Sequence, residues 1–308
     1  MPGLGGRQYG DEFRILKKYT VSVLKKFGFV ERGVMEKRIQ DEAVELVKYV
    51  KSKNGQAFDM EPILHMSALN IIYNLMFGQR FDMDDKTGRY LSDGVIYYLK
   101  SLHPVFDLFP ILRFLPMLRD LLENIDSRSK KWKEFFDTKV DECLKDTSGR
   151  ENFVQEFAQE AGDYFDKTEL YFIIKDLING GTDTSATQLL WALILIGNNP
   201  AVQEHLHREI DMVVPGERLP MLEDKPKLPY LEATLFEVMR LKPIVPLAVP
   251  HTALRDTEAG GYFIPANTQV TFDYICLFHF FGYNYLFGNL YIVIYYSHYH
   301  CDSLSANV

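Results

Sequence analysis

Residues 166–200 read DKTELYFIIKDLINGGTDTSATQLLWALILIGNNP, and this stretch decides the fold. Apolar side chains recur at helical spacing on both sides of its centre: Leu170, Phe172, Ile173, Ile174, Leu177 and Ile178 before it, Leu189, Leu190, Trp191, Leu193, Ile194, Leu195 and Ile196 after it. Asp166, with Glu169 three residues on, has the form of a capping box, and Gly197-Asn198-Asn199-Pro200 is a stop signal. The spacing predicts one helix of about thirty residues, ~45 Å long, enough to cross a whole domain. In its middle stand Gly180-Gly181-Thr182-Asp183-Thr184-Ser185, poor helix formers where a helix tolerates them least. Each glycine there costs roughly 1 kcal/mol relative to alanine. Two glycines beside a carboxylate and hydroxyls point to close approach of some group to the backbone. The competing reading is helix–helix packing through small residues with a solvated Asp183.

Outward from this helix the pattern stays helical from Arg7 to about Lys242. Arg32 to Val50 predicts an amphipathic helix with Val34, Met35, Ile39, Ala43, Val44 and Val47 on its apolar side. Pro62 to Met76 is nearly all apolar and predicts a buried helix, and Leu118 to Leu144 a long charged one. No proline falls between Pro116 and Pro200, which favours continuous helices. Ala201 to Val214 and Leu228 to Leu241 predict two more. Phe106 to Pro116, rich in Pro and Phe, suits a loop over a hydrophobic cavity. Pro243, Pro246 and Pro250 then end the helical run, and Ala259 to Val270 reads as a hairpin. The expected class is mainly α with a small β portion.

The 308 residues carry a net charge of -8 and no long basic run, which argues against nucleic acid as a partner. The three cysteines, Cys143, Cys276 and Cys301, make neither a disulfide framework nor a C-x-x-C metal pair. The first residues, Met1 to Gly6, have neither signal-peptide nor anchor character. After Arg255 there is no Lys or Arg, and residues 271–300 are dense in Phe and Tyr. The expected division is therefore 1–270 for one domain and 271–308 for an aromatic-rich tail of different character.

Three constellations could carry chemistry. A Thr184 hydroxyl bonded back to the Gly180 carbonyl bends a helix and makes room for a water, so Asp183 and Thr184 form a candidate proton-delivery unit. Glu237 and Arg240 share a helix face at i, i+3, the spacing of an ordinary ion pair. Leu231, Leu235 and Val238 are expected to bury most of that helix. His251, after Pro250, is a candidate to meet an anionic group, the competing reading being an ordinary loop histidine. His205 and His207 at i, i+2 cannot share a face as metal ligands. No Ser-His-Asp elbow, phosphate loop or dinucleotide fingerprint is present.

Read together, these residues resemble the cytochrome P450 superfamily of haem-thiolate monooxygenases. Gly180 to Ser185 is similar to its oxygen-activating segment, and Glu237-x-x-Arg240 to its Glu-x-x-Arg helix. Asn199 to Glu204, Leu228 to Ala233, Val249-Pro250-His251, Arg255-Asp256 and Gly261 to Pro265 match in order. Tyr9 to Arg14 and Arg38 to Ala43 are similar to the microsomal animal branch. The resemblance runs from about residue 7 to 270. It implies a P450-like fold, haem as cofactor, a small apolar substrate, and electrons from NADPH through a cytochrome reductase at the endoplasmic reticulum membrane. By position it implies that Gly180 and Gly181 let haem and dioxygen lie against the helix. Asp183 and Thr184 would deliver protons for O–O cleavage. Glu237 and Arg240 would form a structural ion pair with a buried partner, and His251 would lie near a haem propionate. Phe106 to Phe114 would belong to substrate access.

Two departures accompany the resemblance. Where the family carries Trp and Arg against a propionate, this chain has Phe13, which has no N–H donor, and Lys17, a point charge in place of a fork. The family's Phe-x-x-Gly-x-Arg-x-Cys-x-Gly loop, whose thiolate holds the iron and favours O–O cleavage, is absent. No cysteine here has that setting, so no metal ligand is assigned and this chain itself is expected to be inactive. The alternative is a non-catalytic helical protein or pseudogene product without haem. The tail is read as translated intron or a frame error in a chain truncated at both ends, which a spliced message encoding the same tail would refute. A membrane segment at Tyr274 to Tyr296 is the rival reading, made costly by its tyrosines and asparagines.

Overall fold

The computed structural model describes residues 3–28, 34–101, 116–216, 218–246, 248–249, 251–272 and 292–295. Among them the helices are α1 (Asp11–Lys26), α2 (Val34–Ser52), α3 (Glu61–Phe77), α4 (Lys86–Ser101), α5 (Pro116–Lys145), α6 (Phe153–Ala161), α7 (Lys167–Gly197), α8 (Pro200–Val213) and α9 (Pro229–Leu241). The strands are β1 (His251–Thr252), β2 (Thr257–Ala259), β3 (Tyr262–Ile264), β4 (Gln269–Phe272) and β5 (Ile292–Tyr295). The expected mainly helical class with small sheets is what forms. The connection at Phe106 to Phe114, Cys276, Cys301 and most of the tail lie outside the described residues.

The chain divides into two compact units, one of Met1–Leu190 with Ile210–Lys227, the other of Trp191–Glu209 with Leu228–Val308. In the first, α7 starts where Asp166 predicts. Its Oδ1 accepts from the Thr168 and Glu169 N–H groups at 2.6 and 3.0 Å. Glu169 turns its own carboxylate to the Arg7 guanidinium, a stronger partner than a backbone N–H, and so ties down the N-terminal segment. Beside it, Asp176 Oδ2 accepts from the Leu4 and Gly5 N–H groups at 2.8 and 2.9 Å. Gly3 takes φ +92° there, with Asp176 Oδ2 2.7 Å from where a Cβ would stand, so glycine is required on both counts.

The core of this unit forms around α3, which buries Ile63, Leu64, Met66, Leu69, Tyr73, Met76 and Phe77. Phe77 stacks on Phe136 of α5 at 5.9 Å, and Trp132 meets Phe136 edge-on at 5.7 Å. α4 crosses that indole at Gly94, where a Cβ would collide with the Trp132 ring. The expected apolar side of α2 is not its buried one: Ile39, Val44 and Val47 are 45%, 37% and 51% exposed, while Glu42 is 4% exposed. Glu42 accepts from Asn70 Nδ2 at 3.1 Å and Arg80 Nε at 3.0 Å. This polar patch, absent from any hydrophobic pattern, joins α2 to α3 and Arg80, while Leu46 and Tyr49 pack against the core.

In the second unit, Glu209 of α8 accepts from the Tyr230 and Leu231 N–H groups at 2.9 Å each, satisfying the first turn of α9 beside Pro229. Val238 is the residue α9 buries; Leu231 and Leu235 stay half-buried, short of the expectation. The hairpin is β2–β3, closed by Gly260 and Gly261 at φ 57° and 80°, the positive pair that a two-residue type I′ turn demands. It is shorter than expected, because Gln269 and Val270 belong instead to a three-stranded antiparallel sheet of order β1-β4-β5. Among the described residues no helix is long and apolar enough to cross a membrane.

Candidate functional site

The glycine-rich segment does not interrupt α7, which stays α-helical over all 31 residues. Gly180 and Thr184, one turn apart, share a face. Thr184 Oγ1 donates to the Gly180 carbonyl oxygen at 2.6 Å. Gly180 is exposed, and a Cβ there would meet nothing within 4 Å. This flank of the helix is open, with a hydroxyl at one end of it.

The opposite face meets α3 on both sides of the buried Thr182. At Gly181 a Cβ would fall 2.8 Å from both Cδ1 and Cγ1 of Ile72, so its missing side chain makes room for α3. On the other side, Asp183 Oδ1 lies 3.1 Å from His65 Nε2, and His65 Nδ1 lies 2.8 Å from the Glu61 carbonyl oxygen. The His65 side chain is 2% exposed and that of Asp183 27%. Burial alone would push the imidazolium down, but the Asp183 carboxylate and the Glu61 carbonyl outweigh it and raise His65 above the ordinary histidine value. Asn179 Oδ1 and Thr182 Oγ1, on this packed side, are buried without a hydrogen-bond partner, a rare condition in proteins. Sequence reasoning missed His65. Its one signal is an imidazole inside the otherwise apolar run of α3.

The remaining candidates fall in both units. In the first, Lys17 is exposed on α1, its Nζ 5.8 Å from the Phe13 ring centroid. In the second, Arg240 donates twice to Glu237, Nε to Oε2 at 2.7 Å and Nη2 to Oε1 at 2.6 Å. That fork holds the Glu237 carboxyl below its ordinary value. The side chains are 33% and 53% exposed, a half-open pair. Glu237 also borders an apolar cavity of about 370 Å³ walled by Leu195, Ile196, Val202, Val238 and Leu241. His251, exposed on β1, holds Nδ1 2.7 Å from the Val249 carbonyl oxygen.

Cys143 is 5% exposed on α5, with Sγ 3.9 Å from the Phe77 carbonyl oxygen. Burial, reinforced by Asp146 and Glu142, pushes its thiol up, so it stays protonated where a metal ligand must be thiolate. Among the described residues no cluster of His, Cys, Asp and Glu could hold a metal ion.

The family model for cytochrome P450 matches residues 8–279. The chain belongs to the cytochrome P450 family. Human cytochrome P450 2U1 is 34% identical over 283 residues, covering 85% of this chain and 50% of the human protein. Gorilla cytochrome P450 2F5 is 30% identical over 285 residues, covering 85% and 55%. A solved zebra fish cytochrome P450 structure with progesterone superposes at a TM-score of 0.79 with 22% identity, over 92% of this chain and 66% of that one. The fold is thus the P450 fold, and the chain spans about half the length of the curated relatives it matches.

The family implies haem. The open flank at Gly180 fits a flat ring laid against the helix, whereas Gly181 is given over to Ile72. No described residue offers a thiolate to iron, and Cys276 and Cys301 lie outside the described residues. Among the described residues no side chain is placed as a ligand to the haem iron.

Proposed function

We propose that this chain is the oxygen-side portion of a haem-thiolate monooxygenase that inserts one atom of dioxygen into an apolar organic substrate, and that the chain by itself does not complete the catalytic centre. The observation that carries the reading is the open Gly180 flank with the Thr184 hydroxyl bonded across it, in a chain of this family. Haem, when bound, supplies dioxygen activation. Gly180 admits the ring because it has no side chain to exclude it. Thr184 Oγ1 spends its hydrogen on the Gly180 carbonyl and keeps lone pairs to accept another, so it can steady a water on that face. Asp183, partly exposed one residue back, is the acid that resupplies protons. Glu237 and Arg240 brace their helix, and Lys17, exposed on α1, is the residue of its own unit that serves a propionate. Electrons come from NADPH through a cytochrome reductase at the endoplasmic reticulum membrane.

Cys143, the free cysteine among the described residues, is packed into the core, and this favours a second reading, a helical family member without productive haem. Purified chain titrated with haemin, then reduced and treated with carbon monoxide, separates the two. Haem uptake without a thiolate-type Soret band is expected. A thiolate-type band would overturn the incompleteness of the chain, and no uptake at all would leave the second reading standing.

A further inference from the structure

We propose that His65 is the positioning residue for Asp183, and that the two side chains form a dyad holding a single exchangeable proton. The proton count follows from the hydrogen bonds. The Glu61 carbonyl oxygen can only accept, so His65 Nδ1, 2.8 Å away, must carry hydrogen. The 3.1 Å contact between Nε2 and Asp183 Oδ1 then needs one proton, on the nitrogen or on the oxygen. Either way the pair is neutral overall: imidazolium with carboxylate, or imidazole with carboxylic acid.

This neutrality is what the surroundings favour. His65 is 1% exposed on α3, where an isolated charge is expensive. The titratable groups facing it are Asp183 from α7 and Glu61 from one turn back on α3. Moving the proton from Nε2 to Oδ1 breaks an N–H bond, forms an O–H bond and changes no net charge. Asp183 thereby becomes an acid without a new charge being created in the interior. When Asp183 passes that proton onward, imidazole and carboxylate remain, and the 27% exposed carboxylate takes the next proton from a solvent hydronium ion, which leaves as water. His65 also fixes where the carboxylate sits, on the α3 flank and one residue round from Thr184.

The inference builds on the proposed role of Asp183, but its test needs no haem. The whole chain is labelled with ¹⁵N in histidine side chains and ¹³C in aspartate carboxyls, and titrated by NMR. His65→Gln identifies the His65 signals. In the wild type, His65 titrates above the ordinary histidine value with Nδ1 protonated throughout, and the chemical shift of the hydrogen-bonded Asp183 carboxyl carbon reports that His65 step. In Asp183→Asn, which keeps an acceptor but removes the charge, the His65 midpoint falls by about one pH unit or more, below the ordinary value, because burial is then unopposed. In His65→Gln, whose amide still donates to the carboxylate, the Asp183 signal loses that step. An unchanged His65 midpoint in Asp183→Asn, or an Asp183 step surviving in His65→Gln, overturns the dyad. Linked titration in a chain that takes up no haem would sink the monooxygenase reading and keep the dyad; haem uptake with unlinked titration would do the reverse.

Discussion

Alanine at position 180 and alanine at position 181 should have opposite effects on stability, although both replace a mid-helix glycine. Each substitution gains helix propensity, about 0.5–1 kcal/mol. At Gly180 nothing lies within 4 Å of the new methyl, so Gly180→Ala keeps the whole gain. For a domain of this size that raises Tm by roughly 2 °C. At Gly181 the methyl arrives 2.8 Å from Ile72 Cδ1 and Cγ1, where ordinary contacts need about half an ångström more or beyond. Crowding a packed interior costs about 1–3 kcal/mol, so Gly181→Ala comes out destabilising by about 0–2 kcal/mol. Urea or thermal unfolding followed by circular dichroism reads both. The cause is isolated by a double-mutant cycle: in an Ile72→Ala background the clash is gone, and alanine at 181 becomes stabilising. Gly181→Ala as stabilising as Gly180→Ala, or no coupling to Ile72, would refute the packing explanation. The same Gly180→Ala chain should take up haemin more weakly than the wild type, because its methyl stands on the flank proposed for the ring.

Two further perturbations probe the surroundings of the site. Burial holds the Glu42 carboxyl above its ordinary value of 4.5, against the pull of Asn70 and Arg80, so this group's contribution to stability falls as pH rises through its folded pKa. Arg80→Leu removes the cation that offsets this. It should cost about 1–3 kcal/mol at pH 8 and distinctly less near pH 5, and equal losses in urea midpoints at the two pH values would count against it. Asp176→Ala should release the Gly3–Gly5 backbone from α7 and speed tryptic cleavage after Arg7, read by mass spectrometry; an unchanged cleavage rate would show that Glu169 and Arg7 hold the segment without it.

What was legible in the sequence was local. The α7 periodicity, the Asp166 cap and the Gly197 stop are all written within one stretch, and α3 announces itself by an apolar run that no amphipathic surface helix would carry. Gly260 and Gly261 fix their turn because few other residue pairs adopt those angles. Contacts between distant helices are a different matter. Gly180 and Gly181 are indistinguishable as letters, yet one faces open space and the other Ile72, a difference decided by where α3 crosses α7. Glu42 defeats the hydrophobic pattern of α2 because its burial depends on Asn70 and Arg80, supplied by later segments. His65 and Asp183 stand 118 residues apart, and neither carries a mark of the other. Asp183 read alone was either a solvated carboxylate or a proton donor. The buried imidazole makes those readings compatible. It holds the carboxylate at the boundary between a packed face and solvent, and a proton-delivering group needs contact with both.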